Sequence, residues 1–312
     1  MNTKYFVFMV GIFLVACSGV TESPKAVMTE TEIREWQAEA LAFADRNLGA
    51  WPDLDLSMPE YAEDAIFSGP SGGFLLEGKP SISHFFEWWT LGDSHVEVEA
   101  SRVFISVEGA AFDDIWHDLW PYWAEEPPDH PPLKYLDLFQ FQDELVTSYI
   151  LFDLMENIEL TNAGCFPVDG CPELREIVDG YLAAWSSRDV DQIAALYTDD
   201  AVFSDSLLGM QAEGSDAIAA LAEQRFGSIG DTPLEEIDLY AQTNGRYPPT
   251  EEKPKDGRIV GAGISYQWNA FADGKSNAVE SITTFDINQE GLITREEVFH
   301  DPESLIAAGL AQ

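Results

Sequence analysis

The sequence predicts an α+β fold that occurs twice in one chain. The segment YTDDAVFSD at residues 197–205 matches YAEDAIFSG at residues 61–69, and the same offset of 136 residues aligns Gly214 with Gly78. Each segment follows two helix-like stretches and precedes a third helix and four stretches of alternating hydrophobicity. Helices that precede an antiparallel sheet in this order gather on one of its faces. Because the repeat is far longer than a solenoid unit, each copy is expected to be a whole domain.

Composition and charge narrow the class of protein. The chain has 312 residues, 46% of them hydrophobic and 12% aromatic, which is enough to fill the cores of about two domains. Its 56 acidic and 16 basic residues give a formal net charge of −40. Phosphate binding needs clustered Lys and Arg, so nucleic acid is excluded as a partner. The acidic surface indicates solvation in salty surroundings, or alternatively the recruitment of a cationic ligand.

The amino terminus has the form of an export signal. One lysine precedes an apolar run of about a dozen residues, which is too short to span a bilayer. The run ends in Leu-Val-Ala-Cys at residues 14–17, which resembles the lipobox of bacterial lipoproteins. That resemblance implies that residues 1–17 are a signal peptide with its lipobox, cut immediately before Cys17. It also implies lipidation of Cys17 and Ser18-directed sorting to an outer membrane, facing the periplasm. Residues 18–31 then form a polar tether, and the lipid is the only expected contact with the membrane.

The other two cysteines lie in a short linker at residues 161–172. Cys165 and Cys171 flank a Gly- and Pro-containing segment, and an exported chain meets an oxidising compartment. A disulfide between them is therefore predicted, with two free thiols as the alternative. A metal site is disfavoured there because no histidine lies nearby and two ligands are too few.

The first copy is predicted at residues 32–160. Helical periodicity covers residues 33–48, a short helix leads to Tyr61, a strand covers residues 65–68, and a third helix covers residues 82–91. Four alternating strands follow. The tryptophans of this copy are expected in the core, although a ligand cage is an alternative. The proline-rich loop at residues 124–132 is expected to be exposed, with a lid as the alternative.

The second copy is predicted at residues 173–305, with a tail at residues 306–312. Its helices are expected at residues 173–186, 190–197 and 216–226, and four alternating strands again follow.

Both copies resemble the nuclear transport factor 2-like superfamily, in its SnoaL-like and ketosteroid isomerase-like branches. The marks are the run Tyr197–Ala201, the Glu213–Gly214 step before a helix, and the terminal run from Phe285 to Pro302. The resemblance implies two tandem cone-shaped domains, in each of which three N-terminal helices close a strongly curved antiparallel sheet over a pocket. It also implies that the two domains pack sheet to sheet as a pseudo-dimer within the chain.

The ketosteroid isomerase pattern offers candidate catalytic residues in the second copy. Tyr181 and Asp205 match its first-helix tyrosine and its aspartate after the YxDDA strand, whereas its third position falls on Ser281. Such a site needs a carboxylate base near an acidic C–H and donors facing the enolate oxygen. Alternatively, Tyr181 is a core tyrosine and Asp205 a turn former. His300 is a further candidate base.

The first copy departs further from this pattern. Asp45 and Gly69 stand at its first two positions, and Asp137 falls near the third. Two glutamates of the second copy, Glu280 and Glu297, are expected to be solvated.

Three functions remain open at this point. The leading one is an envelope-anchored protein that binds a small apolar molecule, without assured catalysis. The first alternative is a cyclase or isomerase that performs acid–base chemistry on a small apolar carbonyl compound in the second copy, and the second is a structural or assembly lipoprotein. No cofactor and no metal are expected, because no glycine-rich phosphate loop or metal-ligand spacing is present.

Overall fold

The computed structural model describes residues 26–48, 54–69, 75–90, 97–117, 133–154, 170–226, 233–243, 259–272 and 275–312. We refer to the described residues up to 154 as the first half and to those from 170 as the second half. The first half has the helices α1 (Glu30–Asn47), α2 (Leu54–Ser57, continued by a 3₁₀ turn at Met58–Glu60) and α3 (Lys79–Thr90). Its strands are β1 (Tyr61–Ser68), β2 (Leu75–Glu77), β3 (Glu97–Ile105), β4 (Gly109–His117), β5 (Leu133–Gln142) and β6 (Leu145–Leu154).

The second half repeats this order. Its helices are α4 (Gly170–Ser187), α5 (Val190–Ala194), α6 (Ser215–Arg225) and a closing helix α7 (Pro302–Ala307). Its strands are β7 (Tyr197–Asp205), β8 (Met210–Glu213), β9 (Glu235–Thr243), β10 (Ile259–Ala272), β11 (Lys275–Ile287) and β12 (Ile293–His300). The short strands β2 and β8 and the helix α7 were not predicted from the sequence.

Local sequence explains where several helices begin. Thr29 and Glu32 form a reciprocal capping box at the start of α1. The Asp189 carboxylate accepts the amides of Asp191 and Gln192 at the start of α5, and Asp301 caps α7 in a similar way. These side chains satisfy amides that have no partner within the helix.

A glycine precedes α6 for a steric reason. Gly214 has a φ of +88°, and a Cβ added there would lie 2.9 Å from the carbonyl oxygen of Asp199. Gly78 occupies the corresponding place before α3 with a φ of +82°. Both turns therefore need a residue without a side chain.

The strands of both halves form one large sheet. Neighbouring strands follow the order β11, β10, β9, β6, β5, β4, β3, β12, β7, β8. Since β11 also pairs with β12, the first eight of these strands close into a ring. The halves meet at two junctions of the ring, β6 with β9 and β3 with β12. The protein is thus an α+β fold with a large curved sheet and few helices.

Strand registers recur between the halves. Phe67 of β1 pairs in parallel with Tyr149 of β6, and Phe203 of β7 pairs in parallel with Glu296 of β12. On the neighbouring strands, Tyr149 pairs with Phe139 and Glu296 pairs with Phe285. Tyr149 and Glu296 therefore hold corresponding positions.

Two apolar cores result. The larger one lies between the helices and the inner faces of the strands, and alternate residues on the outer faces form a second core between the halves. The second core consists of Phe104, Ala111, Leu136, Leu138, Phe152, Leu154, Tyr240, Ile282 and Phe299.

The chain ends that the structure describes are packed onto the second half. The Ala26 amide donates to the Leu310 carbonyl at 2.7 Å, and the Val27 amide donates to the Leu207 carbonyl at 2.8 Å. Ala26 and Leu310 are fully buried, although the sequence places the first in the tether and the second in the tail.

Some sequence predictions lie outside the described residues. These are the lipidation of Cys17, the side chains of the predicted Cys165–Cys171 disulfide, and the proline-rich loop at residues 124–132. Within the described part of the chain, no helix is long and apolar enough to cross a membrane.

Candidate functional site

A β-bulge places a carboxylate inside the second half. Ile287 pairs with Ile293 and Asp286 pairs with Arg295, which leaves Thr294 as an extra residue on β12. The extra residue shifts the alternation of side chains, so that Arg295 is exposed and Glu296 faces the interior. Glu296 is fully buried.

Three hydroxyl groups surround this carboxylate. The Tyr181 hydroxyl donates to Glu296 Oε1 at 2.8 Å, and the Thr283 hydroxyl donates to the same oxygen at 3.0 Å. The Tyr197 hydroxyl donates to Glu296 Oε2. Helix α4, the start of β7 and strand β11 each supply one donor. We call these four residues the Glu296 cluster.

Burial changes the acidity of the cluster. It raises the pKa of Glu296 to about 7, although the three hydroxyl donors and the charge of Arg225 favour the ionised form. Burial and the nearby carboxylate also raise the pKa values of Tyr181 and Tyr197 well above their usual range. The carboxyl group therefore exchanges its proton near neutral pH, while the tyrosines stay protonated.

A second buried cluster lies at the end of β7. Asp205 Oδ1 lies 3.0 Å from His300 Nε2 and accepts the Leu208 amide at 3.2 Å. Asp205 Oδ2 faces Arg225 Nη2 at 3.4 Å. Asp205 and His300 are fully buried, and Arg225 is 7% exposed.

Ser281 extends this cluster from β12 to the neighbouring strands β11 and β10. Its hydroxyl oxygen lies 2.8 Å from His300 Nδ1 and accepts the indole N–H of Trp268 at 2.9 Å. Because an indole N–H can only donate, the Ser281 oxygen accepts from Trp268 and shares a second hydrogen bond with His300 Nδ1. The Arg225 guanidinium lies over the Trp268 ring, 5.2 Å from its centroid. We call Asp205, His300, Ser281, Arg225 and Trp268 the Asp205 cluster.

Asp205 and Glu296, the carboxyl groups at the centres of the two clusters, have opposite pKa shifts. Burial by itself raises the pKa of Asp205, but the charge and hydrogen bond of His300, the charge of Arg225 and the Leu208 amide hold it below its usual range. Glu296 has hydroxyl partners instead of a paired cation, and its pKa rises. The Asp205 cluster thus contains a carboxylate that stays ionised, and the Glu296 cluster contains one that titrates.

The predicted catalytic residues are divided between the clusters. Tyr181 belongs to the Glu296 cluster, whereas Asp205 and Ser281 both contact His300. Along β12, Glu296 and His300 are separated by four residues, or roughly 13 Å. Burial raises the pKa of Tyr266, and the charges of both Glu296 and Asp205 add to this rise, whereas the charge of Arg225 opposes it.

The alternative interpretations of single residues also find support. Asp205 caps the turn after β7 through the Leu208 amide, as a turn former does. Tyr181 is 3% exposed and packs against Phe285 with ring centroids 4.8 Å apart, as a core tyrosine does. The expectation that Glu297 is solvated was wrong, because only 12% of its side chain is exposed and it accepts a hydrogen bond from Gln140 of the first half.

The first half has a different interior. Asp45 is exposed on α1, and Gly69 brings no side chain. Asp137 of β5 is fully buried and accepts a hydrogen bond from the Tyr149 hydroxyl. By strand register, Tyr149 corresponds to Glu296 and Asp137 corresponds to Thr283.

Sequence reasoning missed Glu296, Tyr197, Thr283, Arg225 and Trp268. Strict alternation along β12 puts Glu296 on the outer face, and only the bulge reverses this. Arg225 was missed because a basic residue in the last helical turn is ordinarily explained by the helix dipole. Among the residues that the structure describes, no group of three or more His, Cys, Asp or Glu side chains could hold a metal ion.

The comparisons with known proteins concern the second half. Residues 178–296 match the family model of the SnoaL-like domain. No curated protein matches the chain.

Three solved structures of similar fold each cover less than half of the chain. One is a hypothetical protein from Catenulispora acidiphila with a ketosteroid isomerase-like fold, in complex with trimethylamine, at 18% identity over 43% of this chain and 91% of that chain, with a TM-score of 0.34. Another is a putative SnoaL-like polyketide cyclase from Shewanella putrefaciens, at 11% identity over 44% and 96%, with a TM-score of 0.35. A third is an LEH-like epoxide hydrolase from M. tuberculosis, at 17% identity over 44% and 89%, with a TM-score of 0.33. Residues 178–296 are a SnoaL-like domain.

Proposed function

We propose that the second half binds a small, largely apolar carbonyl compound and transfers a proton on it, as an isomerase or cyclase does. The observation that carries this proposal is the Glu296 cluster. A carboxyl group whose pKa is about 7 is as ready to accept a proton as to donate one at neutral pH. A carboxylate that served only to hold the fold together would gain nothing from such a value.

The opposite pKa shifts of Glu296 and Asp205 support this assignment. Acid–base sites commonly hold pairs of titratable groups whose surroundings push their pKa values apart. Glu296 is then the group that exchanges the proton. Asp205 stays ionised between His300 and Arg225, and its negative charge contributes a constant electrostatic potential inside the second half.

The hydroxyl donors have a second task in this proposal. When Glu296 takes a proton from a carbon next to the substrate carbonyl, its oxygens become weaker acceptors. A tyrosine hydroxyl, that of Tyr197 or Tyr181, then donates to the enolate oxygen that develops. Return of the proton from Glu296 to another carbon completes an isomerisation, and atoms and charge balance.

The test compares three variants on a panel of small apolar ketones and enones. Glu296→Gln keeps the shape of the side chain but removes its basicity, so turnover is expected to fall by about a thousandfold or more. Tyr197→Phe is expected to reduce turnover more than substrate affinity. Glu297→Gln, on the outer face of the same strand, is the matched control. Full activity of Glu296→Gln would rule the proposal out.

Binding without catalysis is the second candidate. The observation in its favour is that both oxygens of Glu296 already accept hydroxyl donors, as in a satisfied polar group of a core. This candidate predicts saturable binding of an apolar molecule that is equally tight in Glu296→Gln. Native mass spectrometry of the protein purified from its own cells measures both properties.

We further propose that the two halves are tandem domains of one fold. The recurring strand registers and the recurring glycine turns support this proposal. Separate expression of residues 173–312 tests it, because a domain of this kind is expected to unfold in a single cooperative transition.

We also propose that Cys17 carries lipid and anchors the protein in an outer membrane, facing the periplasm. The support is the Leu-Val-Ala-Cys run after a short apolar segment. Incorporation of labelled palmitate that is lost in Cys17→Ala tests the anchor, and soluble wild-type protein without lipid would contradict it.

A further inference from the structure

Strand register identifies corresponding residues at the interface between the halves. The ring closes at Ile105 of β3 and at Ala241 of β9, which are corresponding junctions. Arg102 lies three residues before Ile105, and Asp238 lies three residues before Ala241, so these two residues correspond. Both strands have a β-bulge beside this position.

A second corresponding pair lies on the next strands. Asp137 of β5 corresponds to Thr283 of β11. Lys134 lies three residues before Asp137 and Glu280 lies three residues before Thr283, so Lys134 and Glu280 also correspond. The first half therefore has cations at both positions, and the second half has anions at both. We call Arg102, Lys134, Asp238 and Glu280 the charge-reversed quartet.

The quartet makes its contacts across the interface. Arg102 Nη1 lies 3.0 Å from Glu280 Oε2, and Lys134 Nζ lies 3.4 Å from Asp238 Oδ2. Arg102 corresponds to Asp238, and Glu280 corresponds to Lys134. The first ion pair therefore corresponds to the second one, with the signs of the charges reversed. Arg102 Nη2 also lies 3.5 Å from Asp238 Oδ2, so corresponding positions meet each other.

A buried aspartate supports the cationic side. The Asp113 carboxylate, with 1% of its side chain exposed, contacts Arg102 Nη2 at 2.6 Å and accepts the Tyr240 hydroxyl at 3.0 Å. By register, Ser265 is the residue that corresponds to Asp113 in the second half, and it is fully buried and uncharged. The two halves therefore differ in charge at three corresponding positions of one interface.

We propose that the charge-reversed quartet determines which sheets pack together. Its charges favour contact between the sheet of the first half and the sheet of the second half, and disfavour contact between two copies of the same sheet. Two identical sheets in this geometry would bring Arg102 against Arg102, or Asp238 against Asp238. Like charges held this close cost stability, whereas the three contacts given above between members of the quartet each join opposite charges. The quartet side chains are 18–36% exposed, so the attraction between their opposite charges is modest. The quartet therefore acts mainly through the repulsion that two identical sheets would experience.

The test uses the full chain in an Asp113→Ser background, which makes this position identical to Ser265. An all-acidic variant carries Arg102→Glu and Lys134→Glu, an all-basic variant carries Asp238→Lys and Glu280→Lys, and an exchanged variant carries all four changes. Thermal unfolding at low salt is expected about 3–6 °C below the background for the first two variants. The exchanged variant is expected to recover more than half of that loss, and high salt is expected to shrink all differences.

A matched control separates pairing from net charge. The variant with Glu39→Lys and Glu223→Lys, both at exposed helical positions, changes the net charge as the all-basic variant does. It is expected to melt at or above the background, because the chain is strongly acidic. An exchanged variant no more stable than the same-sign variants, or an all-basic variant that behaves like the control, would overturn the proposal.

A second measurement keeps the proposal testable if the Asp113→Ser background does not fold. In the otherwise unchanged chain, Lys134→Ala and Asp238→Ala are combined in a double-mutant cycle. The double variant is expected to lose less than the two single losses combined. Strict additivity would contradict a pairing role for this contact.

Discussion

The interiors of the two halves differ in what fills corresponding positions. In the first half, stacked rings surround the hydrogen-bonded pair of Asp137 and Tyr149, and Tyr149 lies between Phe139 and Phe67 at centroid distances of 4.3 and 4.7 Å. In the second half, Glu296 takes the position of Tyr149, and the acid that the first half holds at Asp137 is replaced by Thr283. The same framework thus holds either a packed aromatic core or a titrating cluster, which shows that the strands position the site and the side chains decide its chemistry.

The largest expected effect comes from the Asp205 cluster, which has no counterpart at Gly69. Asp205→Asn removes the buried negative charge that Arg225 Nη2 faces at 3.4 Å, so the free energy of unfolding is expected to fall by about 3–5 kcal/mol. Chemical denaturation measures the loss, and Asp200→Asn, at an exposed position of the same strand, is the control. A loss below about 1 kcal/mol would contradict the ion pair.

The second-largest expected effect is a change of stability with pH, which we expect to come from Glu296 in the second half. Folded Glu296 keeps its proton up to about pH 7, whereas the unfolded chain releases it near 4.5. Unfolding therefore releases a proton between these pH values, and stability falls as pH rises through this window, by about 3 kcal/mol in total. Glu296→Gln is expected to remove this part of the slope. An unchanged slope in Glu296→Gln would show that Glu296 does not titrate there.

Two tyrosine substitutions compare the acid–hydroxyl pairs directly. Tyr149→Phe removes a donor to buried Asp137 and is expected to cost about 1–3 kcal/mol. Tyr197→Phe is expected to cost less, because Glu296 retains the hydroxyls of Tyr181 and Thr283 and is also able to stay protonated. Thermal unfolding at pH 6 measures both, and equal losses would remove the distinction between the halves.

The smallest effect concerns ring packing. Phe139 contacts the rings of Phe43, Phe112 and Tyr149, whereas Phe285 at the corresponding position contacts the Tyr181 ring. Phe139→Leu is expected to cost about 1 kcal/mol more than Phe285→Leu, because each aromatic pair adds about 0.5–1.5 kcal/mol. Urea denaturation of the two variants gives the difference. A greater loss for Phe285→Leu would mean that the second interior is the better packed one.

Much of this fold follows from the sequence, and much of the site does not. The sequence predicts the long strands and every described helix except α7, and the steric need at Gly214 explains why a glycine precedes α6. The interior position of Glu296 depends on the bulge at Thr294, which alternation does not reveal. Closure of the strand ring depends on pairing between β6 and β9, which are far apart in sequence. The charge-reversed quartet becomes visible only when the register of both halves is known.

Direct titration of Glu296 tests the central claim most sharply. Infrared difference spectra of the full chain, recorded from pH 5 to 9 and compared with those of Glu296→Gln, isolate the carboxyl band of this residue. We expect a protonated carboxyl at pH 5 that ionises with a midpoint near pH 7. A Glu296 carboxylate that is already ionised at pH 5 and does not change up to pH 9 would contradict it.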